Sequence, residues 1–520
     1  MTESRRPWKF PPFAPAYRAS GLLLHVTSLP SPYGIGDVGP AALTWIDGLS
    51  RAGQSWWQAL PLGPTGYGDS PYQSLSSFAG NELLISPDWL IEDELLQAAD
   101  CPVRALPQDQ IDYRSVITLK RRLLETARAN FTAGARADLR VAYEQFRHDH
   151  AHWLEDYALF RALKARFDDA FYLEWPTALV ERDPWALDRV RGELAQQIDV
   201  VCFAQFMLFR QGERLKAYAQ GKGVGLIGDL PFFVSADSSD VWANPELFLL
   251  DQRHRPRFVA GVPPDYFSAQ GQLWGNPLYD WDALRRTDFR WCIARLRSLL
   301  AHVDVIRLDH FRAFAAAWHV PAAASTAQSG EWVPGPGADF LQIVRRELGT
   351  LPFIVEDLGI ITSEVYALRD QFRLPGTRVL QFAFDGDSKN PYLPGNYVSN
   401  TVVYTATHDN PTTRGWFADL PDNQRRNLCN YLGRPGGESS EAAAALMGLA
   451  WSSVAAVSMA PLQDLLNLGP ETRMNVPGRA DGNWRWRCTE TMLSDRSFEW
   501  LRELTKQSNR LGSGTNTNGA

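Results

Sequence analysis

Eight short apolar runs recur along the chain, each closed by Gly, Pro or polar residues. They are GLLLHVTSL (21–29), SWWQALPLG (55–63), VGLIGDLPFFV (224–234), HVDVIRLDHF (302–311), LPFIVEDLG (351–359), TRVLQFAF (377–384), TVVYTATHD (401–409) and SVAAVSMAPL (453–462). A strand with one solvated face alternates apolar and polar positions. These runs are nearly continuous, which predicts strands covered on both faces, as in a parallel sheet. Helical patterns fall between several of them. AALTWIDGLSRAG (41–53) ends at a glycine, and SEVYALRDQF (363–372) opens with Ser363 in a capping position. Eight strands alternating with helices predict an α/β fold, a (β/α)8 TIM barrel. A doubly wound open sheet is the alternative, but it would gather polar groups at one switch point. Here they stand at several strand ends: Asp229, Asp309, Glu356, Asp357, His408 and Asp409.

Two gaps are too long for single crossovers. Residues 64–222 contain TLKRRLLETARANF and DYALFRALKARF, which predict an inserted, mainly helical subdomain. Residues 235–301 are rich in Trp, Pro, Gly and Tyr and read as an ordered loop and lid region over the barrel mouth. Residues 1–505 then form one catalytic barrel with insertions, and 506–520, ending GSGTNTNGA, are expected to be a disordered tail. The Ala-rich pieces AFAAAW and EAAAALMGLAW read as helix or loop.

Composition narrows the function classes. The 520 residues are 45% hydrophobic and 21% charged, as for a globular chain with a large core. A net charge of -7 and scattered basic residues argue against a nucleic-acid or anionic-membrane partner. There is no unbroken apolar run of about 18 residues to span a membrane. MTESRRPWKFPPF lacks the apolar segment of a signal peptide, so a cytoplasmic location is expected. The five cysteines show no metal-ligand spacing and read as reduced structural thiols. The 19 tryptophans mildly favour a carbohydrate ligand, although core packing accounts for most of them.

Three carboxylates, Asp309, Glu356 and Asp409, end three of the runs. Retaining glycosyl transfer needs a carboxylate nucleophile and a carboxylic acid about 5–5.5 Å apart, and strand ends across a barrel mouth can supply that spacing. A third carboxylate raises the proton affinity of its neighbours. Arg307 lies two residues before Asp309, on the same face of the strand, where its charge favours ionised Asp309. Spacing alone leaves three other readings open. The carboxylates suit a divalent metal, Asp309 and Arg307 suit a structural ion pair, and Asp357 suits a helix cap.

Longer stretches carry a resemblance. HVTSLPSPYGIGDVG, LPLGPTGYGDSPYQSLSSFAGN, IGDLPFFVSADSSDVWANP, GVPPDYFSAQGQLWGNPLYDW, IRLDHFRAF, VEDLGIIT, LPGTRVLQFAFDG and YTATHDNPTTRGW occur in one order over nearly the whole chain. In these stretches the sequence resembles 4-α-glucanotransferases of the amylomaltase (disproportionating enzyme) type, relatives of the α-amylases. The resemblance implies a (β/α)8 barrel with inserted subdomains, no cofactor and no metal. Its substrates would be maltooligosaccharides and amylose-like or glycogen-derived glucans, handled by a monomer or weak homo-oligomer. It implies Asp309 as nucleophile, Glu356 as general acid/base and Asp409 as transition-state stabiliser. It further implies Arg307, His408, Asp229, Tyr72, Asp265, Ser268 and Trp274 as substrate-binding residues, and Tyr67 at a secondary glucan site. Gly386 stands where some members carry an acidic residue and receives no role. GVPPDYFSAQGQLWGNP reads as a lid that keeps water from an intermediate. The rival readings are a hydrolase of the α-amylase kind and a non-catalytic glucan-binding protein. No Asn-His dipeptide of the sort found in the first α-amylase signature occurs, and all three carboxylates are present.

Overall fold

The structure, a computed structural model, describes residues 8–101, 106–264, 269–433 and 437–511. All eight apolar runs contribute a strand: β1 (Ala19–Leu23), β2 (Trp56–Gln58), β3 (Gly225–Leu230), β4 (Val305–Leu308), β5 (Phe353–Val355), β6 (Gly376–Val379), β7 (Thr401–Tyr404) and β8 (Val457–Pro461). They close a parallel barrel in the order β1-β8-β7-β6-β5-β4-β3-β2. The strands are shorter than the runs that predicted them. In most runs the C-terminal part leaves the sheet and carries polar side chains to the barrel mouth.

The N-terminal end of the barrel is sealed by aromatics. Trp8 packs on Trp56 at 5.3 Å between ring centroids, within a cluster that includes Ile227, Val305, Ile354, Val402 and Met459. Gly225 pairs with Trp56 across β2 and β3. A Cβ there would stand 2.6 Å from Trp56 Cζ3 and 3.0 Å from Trp8 Cδ2. The glycine therefore makes room for two indoles in a layer that is otherwise filled to interior density.

Residues 64–222 carry the helices Tyr113–Ala133, Leu139–Asp149, Ala151–Arg166, Pro184–Glu193 and Ala195–Gly221. The last, 27 residues long, packs on the inserted helices with one part. With another it packs on the barrel-side helix Pro40–Arg51 and on β3.

Four expectations need correction. The 235–301 region is not loop alone. Strands Phe258–Val262 and Gln272–Pro277 join Ala316–Pro321 and Glu331–Pro334 in a four-stranded antiparallel sheet. AFAAAW accordingly runs from the short helix Arg312–Ala315 into a strand, because pairing with Phe258–Val262 overrides the helix preference of alanine. The helix Ser363–Gln371 is preceded by Thr362 at the N-cap, so Ser363 is its first residue and does not cap it. Residues 506–511 are ordered. The last helix runs Asp495–Gln507, and Arg510 beyond it is buried, donating to the carbonyls of Trp451 (2.6 Å), Ala19 (2.9 Å) and Ser453 (2.9 Å). That guanidinium satisfies buried acceptors around β1 and the approach to β8, which ties the chain end down. Residues 512–520 lie outside the described residues. Among the described residues no helix is long and apolar enough to cross a membrane.

Candidate active site

The mouth is built from strand ends. Asp229 on β3 and Arg307 on β4 are register partners. Arg307 Nη1 donates to Asp229 Oδ2 at 2.7 Å and to Asp309 Oδ1 at 3.0 Å. Tyr72 Oη donates to the same Asp229 oxygen at 2.9 Å. Arg307 and Asp229 are buried, and Asp309 is half-buried. Burial pulls the Arg307 guanidinium down, but the charges of Asp229 and Asp309 outweigh it and hold it well above its usual value. Burial, with the charge of Asp309 adding to it and Arg307 opposing, pushes the Asp229 carboxyl up to about 7. One permanent cation thus sits between two carboxylates, and the buried one takes up the excess proton affinity.

Glu356 follows β5 and is held by backbone. Its N–H donates to Leu308 O (3.0 Å) and its carbonyl accepts from Phe311 N (3.0 Å). Its Oε2 accepts from His310 N at 2.7 Å and its Oε1 from Leu358 N at 3.3 Å. Burial first, then the charge of Asp309, pushes this carboxyl up to about 8. A carboxyl in that condition stays protonated at neutral pH and can give its proton away.

His310 and Arg312, which follow Asp309, belong to this support. His310 takes a left-handed backbone (φ 48°), unusual for a non-glycine residue, and this turn aims its N–H at Glu356. Its ring lies edge-on to Trp274, 4.8 Å between centroids, and near Phe233. Arg312 stacks on Trp332 at 3.6 Å and donates to Ile360 O at 2.6 Å, which ties the loop after Glu356 to the loop after Asp309.

Asp409 is the most exposed of the three carboxylates, its side chain 48% accessible. Asn475 Nδ2 donates to its Oδ1 at 2.6 Å, and Arg473 Nη2 to its carbonyl at 2.5 Å. His408 is buried, and burial holds its imidazole below the usual value and therefore neutral. It stacks on Tyr72 at 5.2 Å and 14°. Burial, reinforced by Asp229, raises the Tyr72 phenol, so it remains a donor.

The structure thus joins Asp229, Arg307, Asp309, Glu356, Tyr72, His408, Asp409 and Trp274 through direct or shared contacts. Tyr67 stands apart, 78% exposed on the turn Tyr67–Asp69. Asp265 and Ser268 lie outside the described residues. Asp357, at the same strand end as Glu356, turns away from the mouth. It is buried against Arg369 (2.7 Å), Arg378 (3.2 Å) and Thr377 N (2.7 Å), so it ties a helix to β6 and caps none.

Comparison with known proteins identifies the family. The sequence profile described as 4-alpha-glucanotransferase matches residues 24–493. The chain belongs to the 4-alpha-glucanotransferase family. The 4-alpha-glucanotransferase of Thermus thermophilus is 46% identical over 95% of this chain and 99% of its own. The chloroplastic/amyloplastic enzyme of Solanum tuberosum is 42% identical over 92% of this chain and 83% of its own. A solved amylomaltase from Streptococcus agalactiae, in complex with acarbose, superposes with a TM-score of 0.91 at 37% identity, covering 95% of this chain and 99% of that one.

In this 4-alpha-glucanotransferase the sequence pattern missed the groups behind the front rank. Asn475, Arg473 and Trp484 reach the site from the segment after β8. Asn475 is 66 residues from the carboxylate it touches. No local spacing marks such a residue; only the folded chain brings it there.

Proposed function

We propose that this 4-alpha-glucanotransferase transfers α-1,4-glucan segments between maltooligosaccharides by a retaining double displacement at Asp309, Glu356 and Asp409. In the first step Glu356 gives its proton to the glycosidic oxygen while an Asp309 oxygen forms a bond to C1. The C1–O bond breaks and the reducing-end glucan leaves with a 4-hydroxyl. In the second step Glu356, now a carboxylate, takes the proton from the 4-hydroxyl of an acceptor glucan. That oxygen bonds to C1 and Asp309 is released. Asp409 accepts hydrogen bonds from ring hydroxyls, strongest as the ring flattens towards the oxocarbenium geometry. Asp229, Tyr72 and His408 position the donor sugar, and Trp274 covers it.

One observation carries the reading. A carboxyl pushed up to about 8 stands beside a carboxylate bound to a permanent cation. The raised proton affinity suits Glu356 to the part of the acid, and the Arg307 hydrogen bond holds the Asp309 carboxylate in place as the nucleophile. The same arginine supplies the positive charge that a divalent ion would otherwise bring to Asp229 and Asp309. The acarbose bound to the Streptococcus agalactiae relative, and the naming of the Thermus and potato relatives, support glucan substrates.

Incubation with maltotriose tests the activity. Glucose with a ladder of longer oligomers is expected. Glucose and maltose alone would mean an α-amylase-like hydrolase, and unchanged maltotriose a binding protein. Asp309→Asn is expected to abolish the ladder, and a glycosyl adduct on Asp309 in quenched wild type, read by peptide mass, tests the covalent step. A ladder from Asp309→Asn would refute the mechanism.

A further inference from the structure

The segment after β8 runs under the mouth as a strap. Its residues reach two parts of the site. Asn475 holds Asp409, and its backbone N–H donates to His408 O at 3.1 Å. Further along, Trp484 is buried, with its indole 5.8 Å from the ring of Tyr72 and 5.9 Å from that of His408, each at 39°. Those two rings stack on one another. Tyr72 in turn leads by its hydroxyl to Asp229, then Arg307, then Asp309.

The backbone at Trp484 is costly. Its φ is +64°, in the left-handed region that bulky side chains avoid. The surroundings enforce it. Trp484 N donates to Met474 O at 2.8 Å, and its carbonyl accepts from Tyr113 Oη at 2.9 Å. Asn483 beside it clamps the strap, accepting from Val476 N (3.0 Å) and donating to Arg479 O (2.8 Å). The strap is pinned to the start of the helix Tyr113–Ala133, since Ile111 N donates to Arg485 O at 2.8 Å. An aromatic side chain that needed only burial would not be expected at a strained position fixed from two sides.

We propose that Trp484 is a positioning residue for glucan transfer: its indole backs the stacked pair Tyr72–His408 and so sets the placement of the groups that lead to Asp309 and Asp409. This rests on the roles proposed above for those residues. The strap holds both arms of the site, Asp409 through Asn475 and the Asp229–Arg307–Asp309 chain through Trp484. The inserted helix, by way of Tyr113, becomes part of the catalytic scaffold.

The test compares Trp484→Phe with Trp484→Leu in the full chain. Both carry the same left-handed backbone strain as tryptophan, and only one keeps a flat face. Folding is checked by circular dichroism and urea midpoint, then kcat and KM are measured on maltotriose. Trp484→Phe is expected to keep kcat within about threefold, and Trp484→Leu to lower it about 10-fold or more with KM moving less. On a Tyr72→Ala background the loss from Trp484→Leu is expected to shrink, because the ring it acts through is gone. Equal losses in the two variants, no loss in Trp484→Leu, losses that multiply with Tyr72→Ala, or failure of both variants to fold would overturn the proposal. Asp309→Asn in the same assay separates the two levels: a ladder there refutes the mechanism, whatever Trp484 does.

Discussion

Glu356 is held as an acid by what surrounds it, and its proton should be readable in rate and in stability. The free carboxyl has a usual value of 4.5 and the folded one about 8. The proposed mechanism needs it protonated, so kcat/KM on maltotriose is expected to fall as pH rises through about 8, tenfold per unit on the basic limb. A plateau through pH 10 would contradict this acid. Stability follows the same proton. Between 4.5 and 8 the native chain keeps it and the unfolded chain releases it, so this group's contribution to stability declines as pH rises through that window. Glu356→Gln cannot ionise. It is expected to withstand more urea than wild type near about pH 8.5 and to lose that advantage by about pH 5. The residue types at Asp309, Glu356 and Asp409 were legible because each ends an apolar run. The turn of His310, which aims a backbone N–H at Glu356, was not, since nothing in DHF states a left-handed φ.

The elements were legible where local pattern and global fold agree. Each β strand announced itself because a strand buried on both faces must be apolar nearly throughout. The antiparallel sheet over the mouth was not, because its Ala-rich strand Ala316–Pro321 is defined by a partner far back in sequence, Phe258–Val262. Two changes test the packing of these elements. Gly225→Ala puts a methyl against Trp56 and Trp8 and is expected to lower stability by about 1–3 kcal/mol with kcat little changed, by urea unfolding and assay. A chain ended after Leu511 is expected to melt with the full-length protein. One ended after Gln507 loses Arg510 and is expected to be less stable by at least about 1–3 kcal/mol, because buried carbonyls lose their donor. Identical melting of the two truncations would mean that Arg510 holds nothing.

Across the whole molecule, the site is one surface made from distant pieces: Tyr72 near the start of the 64–222 insertion, Trp274 on the antiparallel sheet, the ends of β3, β4, β5 and β7, and the strap after β8. A transferase on this plan must keep water from C1 while an acceptor binds. Trp274, in the expected lid, stands edge-on to His310 beside the proposed nucleophile. Trp274→Ala is expected to raise hydrolysis relative to transfer on maltotriose, seen as more maltose and a shorter ladder. An unchanged product profile would remove Trp274 from that role.

By itself the sequence determined the barrel and the acidic residues at its rim. Continuous apolar runs require burial on both faces, and carboxylates at their ends must then lie at the mouth. The tertiary structure decided which of those carboxylates face each other and which turn away. Glu356 and Asp357 are neighbours in sequence, yet one points into the mouth beside Asp309 while the other is locked to Arg369 and Arg378. Successive side chains at a strand end leave on opposite sides, and only the neighbouring strands and helices say which side is the site. The proton affinity of Glu356, the sharing of Arg307 and the backing of Tyr72 by Trp484 depend on burial and on contacts across long stretches of chain, which exist only once the barrel has closed.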